Sequence, residues 1–177
     1  MVAFLDRFSQ NWHRCKNQIP TASFAIGADV ITPVSSVQDL GIYLDSDLSM
    51  RTHISKTVSA CFAVLRKIRS ICRSVTRPVF QSLVASLVLT RLDYGSSTLA
   101  GLPARQLNQL QSVVNSAARL VYLARRSEHV SPLLHELHWL RVPERIDFRL
   151  AVLVYRCMNG TAPRYLEIGR ASCRERV

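Results

Sequence analysis

Three aspartates in the first third of the chain have the type and spacing that could do chemistry. Asp39, Asp45 and Asp47 lie close together, and clustered carboxylates hold the two metal ions of phosphoryl-transfer enzymes. Asp45 and Asp47 also lie where a strand gives way to a helix. A carboxylate at that place accepts hydrogen bonds from free backbone N–H groups and suits the helix dipole. Capping is the commoner role, so we interpret the pair as a strand-to-helix junction.

A group of histidines is the second candidate for chemistry. His135 and His138 lie three residues apart, whereas the zinc helix motif HExxH needs a spacing of four. His129 is nearby, but no cysteine or further ligand follows at a spacing typical of zinc sites. The sequence also contains no glycine-rich phosphate loop and no GxSxG motif. We therefore predict no catalytic residues, no metal and no cofactor for this chain.

The charge of the chain is its strongest physical signal. There are 23 Lys and Arg against 12 Asp and Glu, a formal net charge of +11. No acidic residue lies between Asp47 and Asp93, and this window contains Arg51, Lys56, Arg66, Lys67, Arg69, Arg73, Arg77 and Arg91. Most of these are arginine, which makes bidentate contacts with phosphate. The balance favours a polyanionic partner over a basic protein without one.

The spacing of the basic residues and the scarcity of aromatic ones refine this prediction. Arg66, Arg69 and Arg73 are three and four residues apart, so they should share one face of a helix. Aromatic residues make up 7% of the chain, too few for a platform on which single-stranded bases stack. Contact with the backbone of a duplex is therefore the favoured mode.

The elements that must position these residues are a small N-terminal β hairpin and five helices, a mainly α fold. The segment SFAIGADVITPV reads as two short strands joined by a turn at Gly27-Ala28-Asp29. The segment DLGIYLD reads as a further β segment with Gly41 inside it. A glycine in a strand often marks a bulge or a close backbone approach.

The first three helices are predicted from periodicity and stop signals. The first runs from Met50 to Ser74, with an apolar stripe of Ile54, Val58, Cys61, Leu65, Ile68 and Cys72. The second starts with Thr76 and Pro78 and ends near Tyr94-Gly95. It is apolar on most of its surface, so we expect it at the centre of the bundle. The third follows Pro103 and ends in the basic run Arg125-Arg126.

Two further helices are predicted to complete the bundle. Ser131-Pro132 opens a fourth helix, and Pro143 opens a fifth that ends at Asn159-Gly160. The fifth helix should direct five residues inward: Ile146, Leu150, Leu153, Val154 and Cys157.

Cysteine usage and hydropathy indicate whether the thiols are reduced and whether the chain crosses a membrane. The five cysteines are odd in number and form no CxxC pair, which is typical of reduced thiols in an intracellular protein. The most apolar run, VFQSLVASLVL, is too short to span a bilayer. We therefore predict no membrane segment.

Several blocks of the sequence resemble the C-terminal part of the reverse transcriptases of LINE-type (non-LTR) retrotransposons, of the jockey and chicken-repeat kind. These blocks are SVQDLGIYLDSDLSMRTHISKTV, SLVLTRLDYGSSTLAGLP, LNQLQSVVNSAARLV and HVSPLLHELHWLRVPERIDFRLAVLVYRCMNGTAPRYL. The resemblance covers about residues 20–166. It implies a right-hand polymerase whose palm carries the catalytic aspartates and whose helical thumb follows the palm.

The resemblance also implies that this chain is not an enzyme by itself. In the family, the catalytic aspartate pair follows an aromatic-alanine dipeptide, and no such motif occurs here. It would lie upstream of residue 1. The parent would be an RNA-directed DNA polymerase using Mg²⁺, and Asp45 and Asp47 match a later block of the family rather than its metal-binding pair.

The family pattern suggests roles for individual residues. Residues 21–48 would be the hairpin at the palm exit, with Leu40, Gly41 and Ile42 matching the region that grips the primer. Residues 49–166 would be a helical thumb or connection region lying against the primer–template duplex. The predicted phosphate contacts are Lys56, Arg66, Arg69, Arg73, Arg77 and Arg91. The implied partners are an RNA/DNA primer–template duplex and the palm domain of the parent.

The two ends of the chain depart from the family. Residues 1–20 do not match it, and residues 167–177 are interpreted as an artefactual tail, because Ile168 to Val177 resembles a translated sequencing adapter. Two alternatives to a polymerase fragment stay open: a helical protein-interaction module, and a non-functional remnant of a dead element. An intracellular site, nucleus or cytoplasm, follows only by analogy with the parent.

Overall fold

The structure, a computed structural model, describes residues 22–27 and 29–163. The predicted N-terminal segment 1–20 and the predicted tail 167–177 lie outside these residues. The expected fold class is confirmed, since the chain is mainly helical, with a small β part preceding five helices.

The β part consists of two antiparallel hairpins rather than one. The first pairs β1 (Phe24–Ile26) with β2 (Asp29–Ile31), and the second pairs β3 (Ser36–Asp39) with β4 (Ile42–Asp45). The second hairpin arises because Leu40 and Gly41 form a two-residue turn instead of lying inside one strand. Their φ angles of 45° and 84° are both positive, as a type I′ turn requires.

The helices follow the hairpins in the predicted order. They are α1 (Arg51–Arg69), α2 (77–93), α3 (Ala104–Tyr122), α4 (Ser131–Glu136) and α5 (Val142–Met158). Helix α2 is continuous but changes pitch, with α-helical turns at Arg77–Val84 and Thr90–Asp93 flanking a π-helical turn at Ala85–Leu89. A 3₁₀ turn, Ser96–Leu99, links α2 to α3.

Local signals in the sequence explain several helix boundaries. Thr76 occupies the N-cap position of α2 and Pro78 lies in its first turn, although the Thr76 side chain makes no capping hydrogen bond. At the start of α5, the backbone N–H of Arg141 donates to Glu144 Oε2 at 2.9 Å. Gly160, with φ of +66°, follows α5 and confirms the predicted stop.

The core lies between α1, α2 and α3. Its largest fully buried side chains are Ile54, Cys61, Val84, Val88, Val113 and Val114. The most extensive helix contact is between α1 and α3, and α3 also contacts α2, α4 and α5. The central helix is therefore α3, and the prediction that α2 would be central is wrong. Helix α2 leaves Val79 and Leu87 51% and 44% exposed.

Two further predictions about the helices are corrected. Helix α1 ends at Arg69 rather than Ser74, and residues 70–74 form turns. Ser70 follows the last helical residue and donates its hydroxyl to the Lys67 carbonyl. In α5, Leu153 and Val154 are exposed rather than inward, because no described element covers that face of the helix.

Candidate nucleic-acid interface

The tip of the second hairpin carries the residues matched to the primer-gripping region, and the end of α2 holds it. The hydroxyl of Tyr94 donates to the carbonyl of Leu40. A Cβ placed on Gly41 would lie 3.3 Å from Tyr94 Cε1, which bears out the expected close approach at this glycine. Leu40 itself is 83% exposed. Leu40, Gly41 and Ile42 therefore present a fixed tip, with Leu40 facing solvent.

Gly95 makes the second contact between α2 and the hairpin, and its replacement tests that contact. In Gly95→Ala, the new Cβ would lie 2.7 Å from Ile42 Cδ1, on a backbone with φ of +65°. We expect a loss of unfolding free energy of about 2 kcal/mol, from a left-handed alanine and local crowding. Urea unfolding measures this loss.

Gly101→Ala is the matched control for Gly95→Ala. Gly101 also has positive φ, +77°, but no atom lies within 4 Å of its Cβ position. Only the conformational cost remains there, so we expect about 1 kcal/mol. Equal losses in the two variants would contradict the contact between Gly95 and Ile42.

Asp45 caps the start of α1, as predicted, and Asp47 lies in the strand-to-helix junction just before it. Asp45 Oδ2 accepts from the backbone N–H of Thr52 at 3.1 Å and from Ser49 Oγ at 3.2 Å. Asp47 Oδ1 accepts from the Ser49 N–H at 3.0 Å, and its Oδ2 pairs with Arg51 at 3.0 Å. Burial alone would raise the pKa of Asp45. The hydrogen bonds that Asp45 accepts from Thr52 and Ser49 outweigh this effect and hold its pKa below the ordinary value.

The first turn of α1 also contains a buried histidine that the sequence did not single out. His53 is 6% exposed, and its Nδ1 lies 3.5 Å from the backbone N–H of Tyr43 on β4. Burial lowers the pKa of His53, while the carboxylate of Asp45 acts in the opposite direction. His53 therefore joins the second hairpin to α1 in its neutral form.

His53 makes the stability of the fold dependent on pH. Because its folded pKa lies below the ordinary value of 6.5, the unfolded chain takes up this proton first. The stability that neutral His53 contributes to the folded state is fully present above pH 6.5 and is lost as the pH falls toward the folded pKa. We expect the free energy of unfolding to decline from pH 7.5 to 5.5, by at most about 1.4 kcal/mol per pH unit from this group.

Urea unfolding at several pH values measures this decline. His53→Gln should flatten it, whereas His135→Gln, at an exposed position, should leave it unchanged. A decline of the same size in His53→Gln would assign the pH dependence to other groups.

Lys56 is the first of the predicted phosphate contacts along α1. Its side chain is exposed, and its Nζ lies 3.8 Å from the centre of the Tyr43 ring. This cation–π contact fixes the ammonium group beside β4 while leaving hydrogen-bond donors free for a ligand. Lys56 thus lies at the hairpin end of α1.

The remaining basic residues of α1 lie at its opposite end. Arg66, Lys67 and Arg69 occupy the last turn of the helix, and Arg73 lies in the turns that follow. The expectation that Arg66, Arg69 and Arg73 share one helix face is therefore wrong for Arg73. All four side chains are exposed. Within residues 22–27 and 29–163, ion pairs involve Arg51, Arg77, Arg145 and Arg149 only. Arg66, Lys67, Arg69 and Arg73 therefore form no ion pair with a described carboxylate.

A cavity of about 980 Å³ lies between the C-terminal part of α1 and that of α3. We call it the arginine cavity, because its walls include Arg69, Arg73, Arg119 and Arg126. Arg66 does not line it. Sequence reasoning missed Arg119, and it treated Arg126 only as part of a run at the end of a helix. The available signal was the place of Arg119 in the last turn of a predicted helix, but the sequence does not show what that turn packs against.

Arg77 and Arg91, the last two predicted contacts, lie on α2. The Arg77 guanidinium stacks 3.7 Å above the Tyr122 ring and pairs with Glu136 at 3.3 Å. A phosphate at Arg77 would compete with these two partners. Arg91 is exposed, and its charge acts on the buried thiol of Cys61. Burial raises the pKa of that thiol to about 11, so Cys61 is an unreactive core residue.

The described part of the chain contains no group of three or more His, Cys, Asp or Glu residues that could hold a metal ion. His129, His135 and His138 are all exposed. Cys15 and Cys173 lie outside the described residues. Within those same bounds, no helix combines the length and apolar character needed to cross a membrane.

The chain was compared with protein-family models, with curated proteins and with solved structures, and none of the three comparisons gives a match.

Proposed function

We propose that this chain is a non-catalytic part of an RNA-directed DNA polymerase of a retrotransposon and helps to hold the primer–template duplex. The observation that carries the proposal is the unneutralised basic end of α1. Arg66, Lys67, Arg69 and Arg73 are exposed, and none forms an ion pair with a described carboxylate. An unneutralised cluster of this kind is the electrostatic footprint of a phosphate backbone.

The position of the other basic residues extends this surface along α1. Lys56 lies 11 residues before Lys67, about 16 Å along the axis at 1.5 Å per residue, and three turns of 3.6 residues place the two on nearly the same face. The duplex carries one negative charge per roughly 1.7 Å of axis, so several phosphates lie within that span. The hairpin tip with Leu40, Gly41 and Ile42 lies at the Lys56 end. This arrangement supports a duplex that runs along α1, with one end near the hairpin.

The direct test is the salt dependence of duplex binding by the unmodified chain. Fluorescence anisotropy with a blunt RNA/DNA duplex, from 50 to 300 mM KCl, gives the slope of log K against log salt. Contact with four phosphates predicts a slope of about −3.6, since each contributes roughly −0.9. A slope near zero, or no binding at 50 mM KCl, would exclude the proposed duplex-holding function.

A second candidate function is a helical protein-interaction module, and the exposed apolar side chains of α5 favour it. Phe148, Tyr155 and Met158 are 61%, 67% and 63% exposed. Association through an apolar face persists or strengthens in high salt, whereas phosphate binding weakens. Sedimentation of the chain alone at 50 and 500 mM KCl separates the two, because only the interaction module predicts association that survives the higher salt.

A further inference from the structure

The arginine cavity has a lining unlike that of the open surface on α1. It combines four guanidinium groups with polar side chains and an apolar wall, in a volume of about 980 Å³. That volume lies at the upper end of the range of small-ligand cavities, roughly 300–1,000 Å³. We propose that this cavity binds an unpaired nucleotide of RNA or DNA, base and phosphate together. The proposal deepens the proposed function, with which it shares Arg69 and Arg73.

The cavity has more positive charge than the ends of the two helices around it can offset, and this excess favours a bound anion. Arginines at helix C-termini also stabilise the helix dipole, and α1 and α3 both end at the cavity. Each terminus carries roughly half a negative charge, so the two together offset about one guanidinium. Among the described residues, no Asp or Glu lines the cavity. About three positive charges therefore remain, more than a single phosphate group needs.

Hydrogen-bond donors in the cavity are left for a ligand. Arg119 Nε is buried and has no hydrogen-bond partner, although Arg119 Nη2 donates to the carbonyl of Glu128 at 3.3 Å. Asn115 Oδ1 accepts from Gln111 Nε2 at 2.8 Å, which leaves the Asn115 amide nitrogen to donate elsewhere. The Asn115 amide lines the cavity and can donate to an acceptor there, whereas Arg119 Nε is buried from solvent and would have to turn toward the ligand.

The apolar wall distinguishes a nucleotide from a bare phosphate. Phe62 and Leu120 line the cavity beside Leu123, which is 61% exposed just past the end of α3. A phosphate ion needs only the cations and donors. An unpaired base, by contrast, stacks on aromatic rings and on guanidinium planes and gains contact with apolar side chains. The mixture of arginine and apolar lining therefore fits the two halves of one nucleotide.

The recessed position of the site distinguishes an unpaired nucleotide from a paired one. A base inside a duplex is stacked on both faces, and mainly its phosphate reaches a neighbouring protein surface. Arg66 lies outside the cavity and remains available for such duplex phosphates. We therefore expect the duplex to lie on the open surface of α1 while a single-stranded extension enters the arginine cavity.

Overhang binding tests the proposal. Anisotropy compares a blunt duplex with the same duplex carrying a six-nucleotide single-stranded extension, in RNA and DNA versions. The unmodified chain should bind the extended duplex about tenfold more tightly, the effect of stacking one base. Arg119→Gln combined with Arg126→Gln should reduce this advantage below about twofold. Arg105→Gln with Arg125→Gln, which removes the same charge elsewhere on and after α3, should keep it.

A second variant tests the cavity without changing charge. Ser112 and Ser116 line the cavity, so Ser112→Leu combined with Ser116→Leu should narrow it and reduce the overhang advantage while leaving blunt-duplex binding intact, without adding a ring on which a base could stack. Thermal unfolding checks that each variant is folded. An extension with abasic sugars should lose the advantage, because the base is missing; equal binding would indicate a phosphate site and overturn the proposal.

The two proposals fail in different ways. An equal affinity for blunt and extended duplexes, with a steep salt slope for both, would overturn the nucleotide site and keep the duplex surface. The opposite result would be binding of a five-nucleotide single strand that requires Arg119 and Arg126, without any binding of the blunt duplex. That result would keep the nucleotide site and overturn the duplex surface. An equal loss in the control pair and the cavity pair would also overturn the nucleotide site, because it would reflect net charge alone.

Discussion

Asp93→Asn is expected to lower the free energy of unfolding by about 3 kcal/mol. Asp93 ends α2, and both of its carboxylate oxygens accept from Arg145 of α5, at 2.9 Å from Nε and 2.8 Å from Nη2. The two side chains are only 19% and 17% exposed. Asparagine keeps the shape but leaves the Arg145 charge without its counter-charge in a largely desolvated place, which costs about 3–5 kcal/mol in fully buried pairs.

The measurement is urea unfolding followed by circular dichroism. Glu136→Gln is the control, because it removes the Arg77 pair, whose side chains are 52% and 63% exposed, and should cost less than about 1 kcal/mol. Arg149 also pairs with Asp93 at 3.4 Å, and Asp93→Asn removes this pair as well. Because the Arg149 side chain is half exposed, the loss of this second pair should add little. Similar midpoints for the two variants would mean that the Asp93 pair contributes no more than a surface pair.

Charge reversal of Arg66, Arg69 and Arg73 to glutamate is expected to weaken duplex binding at least a hundredfold at 50 mM KCl. Loss of three phosphate contacts should reduce the salt slope by about 2.7. Reversal also places three negative charges beside the duplex, so the loss should exceed that of neutral replacements. All three side chains are exposed and lack described ion-pair partners, so the fold should survive.

The control for this prediction carries the same change in net charge at other places. Arg105, Arg125 and Arg156 are also exposed, and none lies on α1 or in the turns after it. Reversal of these three should change the affinity by less than about tenfold, because they are not among the proposed phosphate contacts and act on the duplex only through screened charge. If both triple variants lose the same affinity, binding depends on total charge and the surface on α1 is not the site.

The local parts of this fold could be predicted from the sequence because short-range signals control them. Pro78, Pro103 and Pro143 each mark the start of a helix, and Gly160 marks an end. The end of α1 is different. No glycine or proline lies between Arg69 and Arg77, so no local stop signal in the sequence marks the place where the helix ends. The apolar stripe continues to Cys72, three residues past the end of the helix, so the predicted helix is too long.

The parts that could not be predicted depend on contacts between distant residues. Arg119 and Arg126 meet Arg69 and Arg73 only because α3 packs along α1. The pair of Asp93 with Arg145 likewise joins two helices that are far apart in sequence. In α5, periodicity placed Leu153 and Val154 on an apolar face, but it could not reveal that no described element covers them.

The contact of Tyr94 with Leu40 also has a consequence for the order of events during synthesis. The two residues are 54 positions apart, and ribosomes add about 5–20 residues per second. The second hairpin therefore leaves the ribosome roughly 3–11 s before the residue that anchors its tip. A two-stranded hairpin is marginally stable alone in water, so it acquires a fixed angle only once α2 is complete. The second hairpin thus reaches its native orientation only after α2, although it precedes α2 in the chain.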